Sequence, residues 1–178
     1  MNAHLTTTPR QLKSRYPYMF DGENMGIAIA RGWMPLFEQL CKDIDDLLGD
    51  DKQGFQFIQC KEKYGSARFY WSMEGNTPAI RIDCVPGGGL VTSLCRARRE
   101  DDDSGLSGAS GEQGVSVGRR IEDLVDAATA RTQEICILCG DAASLDRQSG
   151  HVLTLCPRHS QQRQQKSMPS IWFNEEEK

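Results

Sequence analysis

CILCGDAASLDRQSGHVLTLCPRHS, residues 136–160, packs three of the chain's seven cysteines and His159 into two short clusters. Cys136 and Cys139 form a C-x2-C pair, sixteen residues separate Cys139 from Cys156, and Cys156 with His159 closes a C-x2-H. Two-residue gaps let consecutive ligands point at one ion from a tight knuckle, and Gly140 supplies the backbone freedom such a turn needs. Three thiolates and a neutral imidazole predict a closed tetrahedral zinc site with no position left for a catalytic water. His151, five residues before Cys156, is an alternative fourth ligand; the repeat of the knuckle spacing favours His159. Redox use of Cys136 and Cys139 as a C-x-x-C pair is the weaker account, because the matching C-x2-H calls for metal. Between the knuckles, Leu145 and then Val152, Leu153 and Leu155 predict two short strands joined around Ser149-Gly150, the layout of a zinc ribbon over 136–166.

Working outward, SVGRRIEDLVDAATARTQEI spaces Val117, Ile121, Leu124, Val125 and Ala128 at helical intervals and predicts a connecting helix over 116–135 that delivers the chain to Cys136. Before it, residues 86–115 run PGGG, RARR and EDDDSGLSGASGEQG, a composition that cannot bury enough apolar surface to offset ordering entropy and reads as a flexible Gly/Ser/acidic loop. From Trp33, the residues Leu36, Phe37, Leu40, Cys41, Ile44, Leu47 and Leu48 recur on one face, with Gly49 as the stop, and predict a second amphipathic helix. GFQFIQCKEKYGSARFYWSM predicts a β-hairpin turning at Gly65, and the alternation in AIRIDCV predicts a third strand beside it. The expected fold is therefore α+β: a small antiparallel sheet packed with two amphipathic helices in 16–85 and 116–135, plus a C-terminal zinc ribbon. Residues 1–15 read as a flexible lead and 167–178 as a tail.

A length of 178 residues, 38% hydrophobic residues and a net charge of −4 describe an ordinary globular chain with an acidic bias, not a globally basic nucleic-acid binder. No stretch has the apolar core of a signal peptide or the length to span a bilayer, so a cytoplasmic location is expected. In that reducing setting Cys41, Cys60, Cys84 and Cys95, each standing alone, read as small hydrophobes.

No serine, cysteine or carboxylate constellation provides a nucleophile with a base, so the chain is not expected to be an enzyme. The LCPRH segment is similar in outline to the end of HNH nucleases, but His151 has no adjacent carboxylate or second histidine, which makes a divergent nuclease the third choice. Arg147, Arg158, Arg163 and Lys166 could touch phosphates. Lys61, Lys63 and Arg68 surround Tyr64, Tyr70 and Trp71, a mixture that serves core packing, a protein partner or nucleic acid. In the tail SIWFNEEEK, Trp172 and Phe173 either fold back on the core or dock on another protein as aromatic anchors.

Taken together, SRYPYMF, RGWMPLFEQLCKDID, QCKEKYGSARFYW, CILCG and LCPRH resemble a family of small uncharacterised bacteriophage and prophage proteins. That family carries a tryptophan-bearing helix, a KEKxGxxRFY hairpin, a connecting helix and a zinc-knuckle pair in the same order. The resemblance covers most of residues 14–160 and brings no activity with it. It implies a mobile-element origin, and with it a protein that binds a host protein complex, including an anti-defence inhibitor. Nucleic-acid binding through ribbon and hairpin is the alternative.

Overall fold

Thr8-Pro9-Arg10-Gln11 opens the first helix with a reciprocal cap. The Thr8 hydroxyl accepts from the Gln11 amide, the Gln11 side chain accepts from the Thr8 amide, and Pro9 occupies the first turn, where no donor is needed. The computed structural model describes residues 7–22, 25–74, 79–85, 89–95, 116–148, 150–174 and 176. Helix α1 spans Pro9–Arg15 and a 3-10 turn follows at Pro17–Phe20. The expected flexible lead over 1–15 is thus corrected for 9–15, where the capping box and buried Leu12 hold a helix against the core. Residues 1–6 lie outside the described residues.

Strand β1 (Ile27–Ala28) and a 3-10 turn (Arg31–Trp33) lead into α2 (Met34–Leu48). Helix α2 buries Met34, Phe37, Leu40, Cys41, Ile44 and Leu48 along one stripe, and Gly49, at φ 62°, turns the chain away. On its wetter side Asp45 accepts from the Tyr18 hydroxyl at 2.7 Å and the Lys52 ammonium at 2.8 Å. The hairpin forms as expected, from β2 (Gln56–Lys63) and β3 (Ser66–Ser72), turning through Tyr64 and Gly65, both at positive φ. A register shift between Phe57 and Gln59 lets Phe57 and Cys60, three apart, both face inward. Phe20, Phe37, Phe55, Phe57, Phe69 and Trp71 then form one aromatic cluster, with neighbouring ring centroids between 5.1 Å (Phe37–Phe69) and 6.5 Å (Phe57–Phe69). Each such side chain contributes about 1.5–3 kcal/mol by burial.

Two elements differ from expectation. The third strand of the main sheet is β1, paired in parallel with β2 in the order β1-β2-β3. The AIRIDCV segment is a strand, β4 (Ala79–Val85), but it pairs antiparallel with β5 (Gly89–Cys95) in a sheet of its own. The expected loop over 86–115 is therefore corrected at 89–95: GLVTSLC carries enough β-forming residues to close a hairpin despite its glycine-rich and charged flanks. Residues 86–88 and 96–115 lie outside the described residues.

Helix α3 (Val117–Arg131) starts on a Ser116 side-chain cap and packs against α2 and β3. At its end Thr132, fully buried, accepts from the Ala67 amide at 3.0 Å, so a side chain satisfies the open edge of β3. The ribbon follows: β6 (Ser144–Gln148), β7 (His151–Leu155) and α4 (Pro157–Gln164). The α+β class holds, and the ribbon is continuous with the main core. Cys136, Ile137, Leu138, Leu155 and Cys156 belong to the same hydrophobic cluster as Trp33, Phe37 and Phe57.

Candidate metal centre

The first knuckle is shaped by its backbone. The Cys136 amide donates to the Asp141 carbonyl at 2.7 Å, the Gly140 amide donates to the Cys136 carbonyl at 2.9 Å, and Gly140 sits at φ 78°. The Ile137 amide donates to the Thr154 carbonyl at 2.9 Å, which pins the knuckle to β7. The second knuckle is a helix start. Cys156 is the residue before α4, Pro157 fills the first turn, and His159 lies two residues beyond Pro157, its ring beside the Cys156 sulfur.

The two knuckles converge. His159 Nδ1 lies 3.2 Å from both Cys136 Sγ and Cys156 Sγ, and Cys139 Sγ lies 3.8 Å from Cys156 Sγ. All four ligand atoms fall within 4.8 Å of one another. Sulfurs about 2.3 Å from a central ion stand about 3.8 Å apart at the corners of a tetrahedron, so the spacing suits one ion held by all four groups. Three soft sulfurs and an imidazole form a donor set for zinc or a comparable thiophilic ion. Cys136, Cys156 and His159 are buried, at 0%, 4% and 6% exposure, while Cys139 is the corner open to solvent.

Electrostatics fit the same use. Burial, followed by the nearby Arg158 guanidinium, pushes the His159 imidazole below its ordinary value and keeps it in the neutral, ligating form. Cys139 is the most open of the four, yet partial desolvation of its sulfur pushes the thiol up, to about 12, with Asp141 Oδ2 3.1 Å away. Burial acts against ionisation of Cys156 as well, but hydrogen bonds from the His159 backbone and from the neighbouring thiols outweigh it, and the Cys156 thiol is lowered. A cation is the partner that lets such a group of thiols ionise together.

His151 opens β7 on the exposed surface and is not among the four converging groups, so His159 is the fourth ligand of the cluster. Among the described residues no second cluster of metal-ligating side chains accompanies it.

The remaining sequence candidates separate. Lys61 lies over the Tyr70 ring at 5.6 Å and Lys63 over Tyr64 at 4.9 Å, on the hairpin. Arg158 and Lys166 are exposed. Arg163 is not available to a partner: it pairs with Asp146 at 2.7 Å and donates to the carbonyls of Gln148 and His151, almost wholly buried. Phe173 is not an exposed anchor either, being 7% exposed beneath the Arg31 guanidinium, whereas Trp172 keeps 40% of its surface open. The chain is thus an α+β protein with a Cys3His cluster that could hold a metal ion. No protein-family model, curated protein or solved structure matches it. No helix among the described residues is long and apolar enough to cross a membrane.

Sequence reading missed what supports the cluster. Gly32 lies so close to the first knuckle that an added Cβ would meet the Cys136 carbonyl oxygen and stand 2.6 Å from the Ile137 carbonyl carbon. Trp33 Nε1 donates to the Ile135 carbonyl at 3.1 Å, and the Thr154 hydroxyl donates to the Gly65 carbonyl at 2.6 Å. The signal was present in RGW and KEKYG, as glycines next to aromatics, but their partners lie some hundred residues away.

Proposed function

We propose that the protein is a zinc-binding protein that acts by binding rather than by catalysis, and that its target is a host protein complex met by a phage- or prophage-derived chain, with anti-defence inhibition as the purpose. The observation that carries the first part is the closed donor set: four ligand atoms from one chain within 4.8 Å. With every tetrahedral position taken, zinc supplies cross-linking rather than an activated water. The ion ties the end of α3, β7 and α4 to the core, so its role is to set the surface that the surrounding residues present.

Trp172 supports the second part. It stands exposed on a segment held by backbone bonds, with the Arg31 amide donating to the Ile171 carbonyl at 3.0 Å and the Arg31 guanidinium donating to the Trp172 carbonyl at 2.8 Å. An ordered, half-exposed tryptophan is the kind of group that dominates binding at protein interfaces. The test is capture from nuclease-treated host lysate with wild-type and Trp172→Ala protein side by side. A defined complex retained by the first and lost by the second supports the reading; recovery through nucleic acid alone overturns it.

A further inference from the structure

The register of β2 and β3 gathers what the sequence left scattered. Gln59, Lys61 and Lys63 alternate along one face of β2, opposite Tyr70, Arg68 and Ser66, while Phe57, Cys60, Phe69 and Trp71 turn to the core. Three cations therefore share the outward face of the hairpin. The turn extends that face, since the Tyr64 ring is 69% exposed. It then runs onto the ribbon: Leu145 Cδ2 lies 2.9 Å from the position of a Gly65 Cβ, and Arg147 lies two residues further along the same face of β6. Among the described residues, no carboxylate forms an ion pair with Lys61, Lys63, Arg68 or Arg147. Some cations elsewhere find acids, as Arg119 does with Asp123 at 3.3 Å, and others among the described residues, such as Arg120 and Lys166, stand singly without an ion pair; what sets the strip apart is that its cations lie together. In a chain of net charge −4, four unpaired cations on one strip form a local positive field against the global bias.

From this arrangement we infer a single-stranded nucleic-acid binding strip that runs from the Lys61–Arg68 face of the hairpin through Tyr64 to Arg147. This role is separate from the protein partner proposed above and uses a different surface. Charge selects a polyanion; the rings narrow the class. Lys61 and Lys63 lie over the rings of Tyr70 and Tyr64, at 5.6 and 4.9 Å, which places an ammonium for a phosphate beside each ring, and the exposed Tyr64 ring is open to take a base. Bases stack on side chains only when they are unpaired, and a β-hairpin face with interleaved cations and tyrosines is a platform for a single strand rather than a helix for a major groove.

The test is fluorescence anisotropy of purified, zinc-loaded protein with labelled 20-nucleotide single-stranded DNA and RNA, the matching duplex, heparin and poly-glutamate, over a salt series. The expected result is binding to single strands at least tenfold tighter than to the duplex, with log affinity falling against log salt at a slope near about −3 when four phosphates are neutralised. Lys61→Ala with Lys63→Ala should weaken binding tenfold or more and lower that slope by about 1.4. Tyr64→Ala should weaken single-strand binding about fivefold or more and leave heparin binding unchanged, because only the former stacks. Lys166→Ala, off the strip, should change neither. All four substituted residues are surface groups, and circular dichroism checks that the fold is retained. No binding to single strands at 50 mM salt overturns the assignment. So does equal affinity for heparin or poly-glutamate with no effect of Tyr64→Ala, which would make the strip a seat for an acidic protein. The assay contains no host factor, so its failure and failure of the Trp172-dependent capture are independent.

Discussion

The Gly32 amide donates to the Ile137 carbonyl at 2.9 Å, joining the turn that starts α2 to the first metal knuckle. The approach is that close because Gly32 has no side chain. Gly32→Ala should therefore destabilise the protein by about 2 kcal/mol, since backbone on both sides must shift. Gly26→Ala, where a Cβ would meet nothing within 4 Å, serves as the control. Thermal denaturation of the two variants measures the difference.

Metal removal is expected to act on the whole fold. Cys136 and Cys156 lie in the same core as Trp33 and Phe37, so a chelator should lower the melting temperature globally. Elemental analysis should give about one zinc per chain. Cys139→Ser removes the exposed corner and should cost several kcal/mol. Fully folded, metal-free protein with an unchanged melting profile would contradict the zinc assignment.

Arg163 is a structural cation. Its pair with Asp146 is nearly enclosed, with side-chain exposures of 12% and 15%, and its second nitrogen bonds the carbonyls of Gln148 and His151. Arg163→Ala leaves Asp146 without its countercharge and should cost about 3 kcal/mol. Arg163→Lys should recover only part, because an ammonium cannot serve carboxylate and carbonyls together. Urea denaturation of both variants tests this.

The tail divides between two neighbours. Phe173→Ala should cost about 3 kcal/mol of stability, as for other buried aromatics, whereas Trp172→Ala should change stability by less than about 1 kcal/mol. Deletion of residues 168–178 should behave like Phe173→Ala in a melting experiment. An unaffected melting temperature would place the tail off the core.

Asp45 provides an acid-side signature. Burial works against its ionisation, but hydrogen bonds from Lys52 and Tyr18, with Lys42 nearby, hold its carboxyl below the ordinary carboxylate range. A lowered folded-state value stabilises the protein above the ordinary range, near about pH 4, and that contribution disappears as pH falls through the folded value. Asp45→Asn should be less stable than wild type at pH 7 and should converge with it as pH falls through the lowered folded-state value. Stability curves from pH 2 to 7 show whether the two meet.

The ligands, both amphipathic helices, the hairpin and the ribbon strands were legible because each is written in local spacing: C-x2-C and C-x2-H, a 3.6-residue stripe, a period of two around Gly65. The first helix was missed: its signal is the cap Thr8-Pro9-Arg10-Gln11, and without an apolar run behind it residues 1–15 read as a flexible lead. What could not be read was pairing between distant segments. Nothing local in Ile27-Ala28 announces a two-residue parallel strand, and AIRIDCV alternates equally well beside β3 or beside GLVTSLC. Arg163 and Phe173 illustrate the same limit. A basic residue on a polar helix reads as available to phosphates, and Phe173 reads equally as core or as anchor, until Asp146 and Arg31 are placed beside them.

The bond between Arg31 and Trp172 spans 141 positions of sequence, and this sets an order of events while the chain is made. At about 5–20 residues per second, roughly seven to thirty seconds pass between the emergence of Arg31 from the ribosome and that of Trp172. For about the first three quarters of that interval the Trp33 face has no knuckle against it, and Cys136 and Cys139 then wait for Cys156 and His159 to complete the cluster. Arg31 and the first knuckle are therefore made well before the residues that complete them, so the four-group cluster and the cover over Arg31 close late and in quick succession, the first at His159 and the second at Trp172.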